Sequence, residues 1–340
     1  MSPRRLLSIL SLGAGISVLA LPLAAGEHAT WDAFMAANRY ACPGPLDTLT
    51  KPESVTLGGK SYRHSGYRLQ IERGDQDHRV VIGVVSAIKD VSAATKANLA
   101  ETLTWFNKEG VEWLVANGDL ALDEFDLEEV FDLLANTGLP TLLVMGNSES
   151  TGSWAHAYKR RHKKYPNLIN GVWVRQIIAD DVEFWTLPGY HDKAFVHQGA
   201  GCLYSSDDVR LMGKLEPAGG APVVVVAHGP PLGSGKRALD RIPDGQNVGD
   251  PQLRKLLDNK KIPFGLFGHI LEAGGAAVGA DHKKPIPEGR AVEQLYINAG
   301  SLSGDPWGMN DNRTSFGMAV LVVIDNGRAT YRVKHYAHRE

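Results

Sequence analysis

Short apolar runs alternate with helix-length segments from Val80 to Phe267, and this alternation restricts the chain's folding more than any other feature. Strand-length runs fall at Val80–Val85, Val111–Ala116, Pro140–Val144, Val172–Ile178, Val182–Leu187, Pro222–Ala227 and Pro263–Phe267. Helix-length segments fall at about Ala93–Lys108, Asp126–Asn136, Ser153–Lys164, Asp207–Lys214 and Pro251–Asn259. The pattern predicts parallel βαβ units. Further strands at Gln294–Asn298, Met318–Ile324 and Ala329–His335 predict an antiparallel close.

The 340 residues are 43% hydrophobic and 22% charged, the profile of an ordered globular protein. Lys and Arg number 36 against 38 Asp and Glu, so no global charge draws the chain to nucleic acid or an anionic membrane, and no nucleic-acid partner is expected. Arg4 and Arg5, the apolar run Leu6–Ala25 and the small residues Ala24 and Gly26 read as a signal peptide over residues 1–26. The expected product is exported, periplasmic or secreted, with an uncleaved N-terminal anchor as the alternative. No later run is long and apolar enough to span a membrane. Residues 27–78 mix turn formers with alternating segments such as Ser61–Ile71 and read as an extension, ahead of a main domain over 79–340.

In open α/β sheets ligands bind at the carboxyl ends of strands, so the polar residues there are the ones to weigh. Four strand ends run into Asn117-Gly118-Asp119, Gly146-Asn147-Ser148-Glu149, His228-Gly229-Pro230-Pro231 and Gly268-His269-Ile270-Leu271. Asp119, Asn147, His228 and His269 offer two oxygen and two nitrogen donors, a set suited to Mn, Zn, Fe or Ni rather than calcium. Taken singly, a histidine after a strand is more often a hydrogen-bonded structural residue; the repeated placement is what points to a metal. The cysteines, Cys42 and Cys202, have no thiolate-knuckle spacing, so such a metal must be held by His, Asp and Asn. Whether they form a bridge or stay as two buried thiols is open. The segment Gly229–Lys236 imitates a phosphate loop, but its first glycine is misplaced and Arg237 stands where Ser or Thr is needed.

Taken in order, these motifs and Asn298-Ala299-Gly300-Ser301 resemble the calcineurin-like metallophosphoesterases, over about Val80 to Ile324. The resemblance implies an α/β fold, a β sandwich of mixed sheets flanked by helices, and phosphoester hydrolysis at two metals bridged by an aspartate. On it, Asp119, Asn147, His228 and His269 form one complete metal position. The other has lost its ligands except Asp119: Ala87 stands where the family has Asp, Lys89 where it has His, and Leu271 where it has the second His of its last motif. Ser148 replaces the family's catalytic His.

The expectation is therefore a hydrolase of phosphoester bonds with a single divalent metal. Lys89 lends an ammonium to phosphate and Ser148 a hydrogen bond. The alternative is a catalytically inactive binding or scaffold protein of the same fold. His191, Asp192 and His197 are candidates to rebuild the lost position, and the loop Leu271–Arg290 is a candidate for substrate contacts.

Overall fold

Strand β10 (Val223–Ala227) shows how the apolar runs are used. Val224 and Val226 enter a core between two sheets, whereas Val223, Val225 and Ala227 enter a second core beneath helices. A strand buried on both faces must be apolar at every position, which is why these runs lack the alternation of a half-exposed sheet. The computed structural model describes residues 42–46, 51–75, 77–196 and 201–339. The expected signal peptide and His197 lie outside them.

A nine-stranded sheet has the order β1 (Glu53–Leu57), β2 (Lys60–Ser65), β3 (Arg68–Ile71), β8 (Gln176–Ile178), β9 (Glu183–Leu187), β10, β11 (Phe264–Phe267), β13 (Leu295–Asn298), β12 (Ala277–Val278). A six-stranded sheet runs β17 (Arg328–His335), β16 (Met318–Asp325), β4 (Arg79–Val85), β5 (Trp113–Asn117), β6 (Thr141–Val144), β7 (Leu168–Asn170). Strands β4 to β7 pair in parallel and β16 and β17 antiparallel, so the fold is α/β with mixed sheets. Val84, Val115 and Val144 from one sheet share a core with Val226, Leu266 and Ile297 from the other. Helices lie outside: Phe106 of Ala93–Lys108 packs on Gly83, where a Cβ would come within 2.6 Å of its ring.

The expected strand Val172–Ile178 is divided. β7 ends at Asn170, whose carboxamide oxygen accepts from Val172 N (3.1 Å) and Trp154 Nε1 (3.2 Å), and the chain then turns to join the other sheet as β8. Residues 53–71, read as part of an extension, form the edge of the larger sheet, with β3 parallel to β8. Cys42 and Cys202 are disulfide-bonded, their Cα atoms 5.3 Å apart, which settles the open pairing. Among the described residues no helix is long and apolar enough to cross a membrane.

Candidate metal centre

The carboxyl ends of β5, β6, β10 and β11 meet where the two sheets converge, and Asn117 ties them. Its Nδ2 donates to the carbonyls of Ala227 (3.0 Å) and Leu266 (3.2 Å) at the ends of β10 and β11. After Asn117 the chain turns through left-handed Gly118 (φ 80°) and Asp119 (φ 55°). Any side chain at Gly118 would run into the His228 imidazole, so glycine is required there by space as well as by φ. The turn brings Asp119 Oδ1 to 3.2 Å from His228 Nε2. Asn147 Oδ1 lies 2.9 Å from the same nitrogen. His269, also left-handed (φ 63°), completes the group, and ligand atoms of Asp119, His228 and His269 all lie within 4.8 Å of one another. The structure thus brings together the residues expected as metal ligands.

Hydrogen bonds fix which atoms face inward. His228 Nδ1 is 2.9 Å from the Asn117 carbonyl, so Nδ1 carries a proton and Nε2 points at two oxygens. Asn147 Nδ2 donates to the Phe195 carbonyl, which turns its Oδ1 toward His228. Ser148 N–H donates to Asp119 Oδ1 at 3.1 Å. Three acceptor atoms converging in a buried place need a cation among them, a proton or a metal, and this is the test that the donor set passes. Burial alone would raise Asp119, but His228 beside it outweighs burial and holds the carboxyl well below its usual range. Burial opposes charge on His228, and the Asp119 carboxylate overrides it and raises the imidazole.

Glu149, quoted in the motif but given no role from the sequence, holds the turn. Its Oε1 accepts from Leu120 N–H (2.6 Å) and its Oε2 from Gly146 N–H (2.9 Å). Burial, and then the charge of Asp119, push it up to about 8. Asn298 donates to the carbonyls of Leu239 (3.0 Å) and Ile270 (2.8 Å), steadying the loop that carries His269. Tyr190 was not foreseen: nothing in Pro188-Gly189-Tyr190 marks it, yet its ring centroid lies 3.9 Å from that of His269.

Among the described residues the other position gains no donor beyond Asp119. Ala87 and Leu271 are buried apolar residues. Ala87 (φ 45°) and Lys89 (φ 68°) keep a left-handed backbone, and their N–H groups donate to the carbonyls of Gly118 (2.8 Å) and Asp119 (3.1 Å). The Lys89 ammonium lies over the Trp307 ring, 4.5 Å from its centroid. Ser148 is buried beside Asp119. His191 packs between Tyr190 (4.5 Å) and Tyr204 (6.3 Å) rather than joining the group, and Asp192 caps a short helical turn through Ala194 N–H at 2.9 Å. The loop Leu271–Arg290 is pinned by His282, buried on Tyr296 with 4.4 Å between centroids, while Lys283 and Lys284 are exposed. Among the described residues the other acidic cluster, Asp75, Asp77 and Asp181, belongs to the stretches beside the start of β4 and between β8 and β9.

Comparison with known proteins bears on the fold and the family. A model of the calcineurin-like phosphoesterase family matches residues 87–273, more than half of the chain. A search among curated proteins finds no match. One solved structure, 12% identical, covers 76% of this chain and 100% of its own with a TM-score of 0.53. A Thermus thermophilus structure is 12% identical over 76% of this chain and 99% of its own, TM-score 0.49. A dimetal phosphatase from Danio rerio gives 12%, 76%, 99% and 0.47. At such identities a structural likeness speaks for the fold alone. With the family match and the two-sheet fold in agreement, the chain belongs to the calcineurin-like phosphoesterases, a family of metal-dependent phosphoester hydrolases.

Proposed function

We propose that the chain is an exported phosphoester hydrolase working with one divalent transition metal, held by Asp119, Asn147, His228 and His269. The observation that carries this is the convergence of Asp119 Oδ1 and Asn147 Oδ1 on His228 Nε2, at 3.2 and 2.9 Å. The apolar side chains of Ala87 and Leu271 argue against a second metal. A bound divalent cation supplies a Lewis acid for a phosphoryl oxygen.

The chain's own residues do the rest. The Asn117 carbonyl keeps His228 in one tautomer, and Ser148 N–H steadies Asp119. The Ser148 hydroxyl offers a neutral hydrogen bond where the family uses a histidine, so it orients phosphate but protonates a leaving group poorly. Turnover is accordingly expected to be slow. Export is supported by the pattern of residues 1–26, and the Cys42–Cys202 bridge is compatible with an oxidising compartment.

The test is elemental analysis of the chain from Glu27 onward, purified without chelator, with turnover of p-nitrophenyl phosphate and its bis ester. About one metal per chain and turnover abolished by Asp119→Ala are expected. About two metals would overturn the single-metal reading. No metal after added Mn or Zn, or a loaded chain no faster than background, would favour the inactive binding protein.

A further inference from the structure

We infer that Lys89 and Trp307 form the substrate-selecting wall of this site, and that the wall favours a phosphoester whose alcohol is a flat aromatic group. This rests on the phosphoester reading above.

Lys89 is rooted at the metal group: its N–H donates to the carbonyl of Asp119 at 3.1 Å. Its head is matched to an aromatic face, 4.5 Å from the centroid of Trp307. The neighbouring carboxylate, Asp90, is occupied elsewhere, accepting from Ser92 N–H (2.8 Å) and Ser303 Oγ (3.2 Å). A carboxylate partner would cancel the ammonium charge, whereas an indole orients it through the ring quadrupole and leaves it available to an anion.

Trp307 itself is 37% exposed, so part of its ring is open to a ligand. It is held in place rather than loose. β14 (Trp307–Gly308) pairs with β15 (Thr314–Ser315), and Asn310 between them donates its N–H to the Glu272 carbonyl (2.9 Å) and Nδ2 to the Arg241 carbonyl (2.6 Å). Glu272 belongs to the turn that follows His269 and includes Leu271, so the hairpin is tied to the loop that lost a ligand. Two further exposed apolar side chains, Leu122 (51%) and Phe125 (81%), lie on the stretch leaving Asp119. With its backbone bound to the Asp119 carbonyl, Lys89 holds its ammonium within side-chain reach of a phosphate at the metal group. An aromatic alcohol would have the open part of the indole to stack on, an interaction tolerant of the ring's identity.

Phosphonates, which are not hydrolysed, separate binding from turnover. Calorimetry on the metal-loaded chain should show phenylphosphonate binding at least about 5-fold tighter than methylphosphonate, within the range of stacking on one aromatic side chain. Trp307→Ala should reduce that preference to less than about 2-fold, and Trp307→Phe should keep part of it. Lys89→Met should weaken both ligands by a similar factor and leave their ratio intact. Equal binding of the two phosphonates, or a preference unmoved in a folded Trp307→Ala chain, overturns the inference. Selective, Trp307-dependent binding with no phosphoester turnover would instead count against hydrolysis and leave the wall standing. Turnover without the preference would do the reverse.

Discussion

His228 Nε2 lies 2.9 Å from Asn147 Oδ1, two atoms that both lack a hydrogen when the imidazole is neutral. Neither side chain can turn away cheaply, because His228 Nδ1 is bound to the Asn117 carbonyl and Asn147 Nδ2 to the Phe195 carbonyl, and breaking either strands a buried polar group. The pair is therefore built around a shared cation. Asn147→Leu keeps the bulk and removes the oxygen. Metal affinity, followed by competition with a chromogenic chelator, should fall by roughly 10–100-fold or more, the scale seen when a metal ligand loses its support. An unchanged affinity would remove Asn147 from the ligand set.

Glu149 offers one carboxylate oxygen to each of two buried N–H groups, Leu120 and Gly146. With its pKa pushed up to about 8 the side chain is a neutral acid at pH 7, so Glu149→Leu, which removes both acceptors, is the variant that leaves the buried N–H groups unpaired. The expected loss is about 1–3 kcal/mol of stability, read as a lower denaturant midpoint at constant slope. A midpoint equal to that of the parent chain would show that the turn around Asp119 is held by other bonds.

His282 makes stability depend on pH. Burial and the nearby Arg254 guanidinium depress its imidazole to about 4, against the pull of Asp258 at 3.5 Å. The folded pKa is lowered, so between the unfolded value of about 6.5 and the folded value of about 4 the unfolded chain binds a proton that the folded chain refuses. This stabilisation is complete above the upper value and fades as pH falls through the window, by at most about 3 kcal/mol. His282→Phe, which preserves the stack on Tyr296, should show a smaller drop in melting temperature between pH 7 and 4. Parallel pH profiles for the two chains would rule the histidine out as the source.

The Cys42–Cys202 bridge closes a loop across 160 positions and lies beside the site. The Cys202 carbonyl accepts from Tyr190 N–H at 3.2 Å, and the Tyr190 ring packs against His269 at a 37° tilt. Cys42→Ser should cost about 2–4 kcal/mol of stability. It should also weaken metal binding, since Tyr190 loses a tethered neighbour. A stability loss with metal affinity intact would confine the bridge to a structural role.

Much of the architecture is legible in residue order. Helix Ala93–Lys108 begins and ends where the alternating pattern places it. The four donors are marked because each follows an apolar run and adjoins a glycine or a Gly-Pro turn. Segment 172–178 is less legible: its apolar residues suit one strand, and only the bonds to the Asn170 side chain divide it. The role of Glu149 is hidden because a backbone-binding carboxylate and a solvated one look alike in sequence.

By itself the sequence determined the alternation of strands and helices and marked four candidate metal donors, both properties of neighbouring residues, while the missing ligands of the other position follow from the family resemblance. Tertiary structure decided where the side chains point: His228 Nε2 inward, His191 between two tyrosines, the Lys89 ammonium on an indole 218 positions away. These orientations follow from contacts between distant parts of the chain, made only when the two sheets close on one another, and no local pattern encodes them.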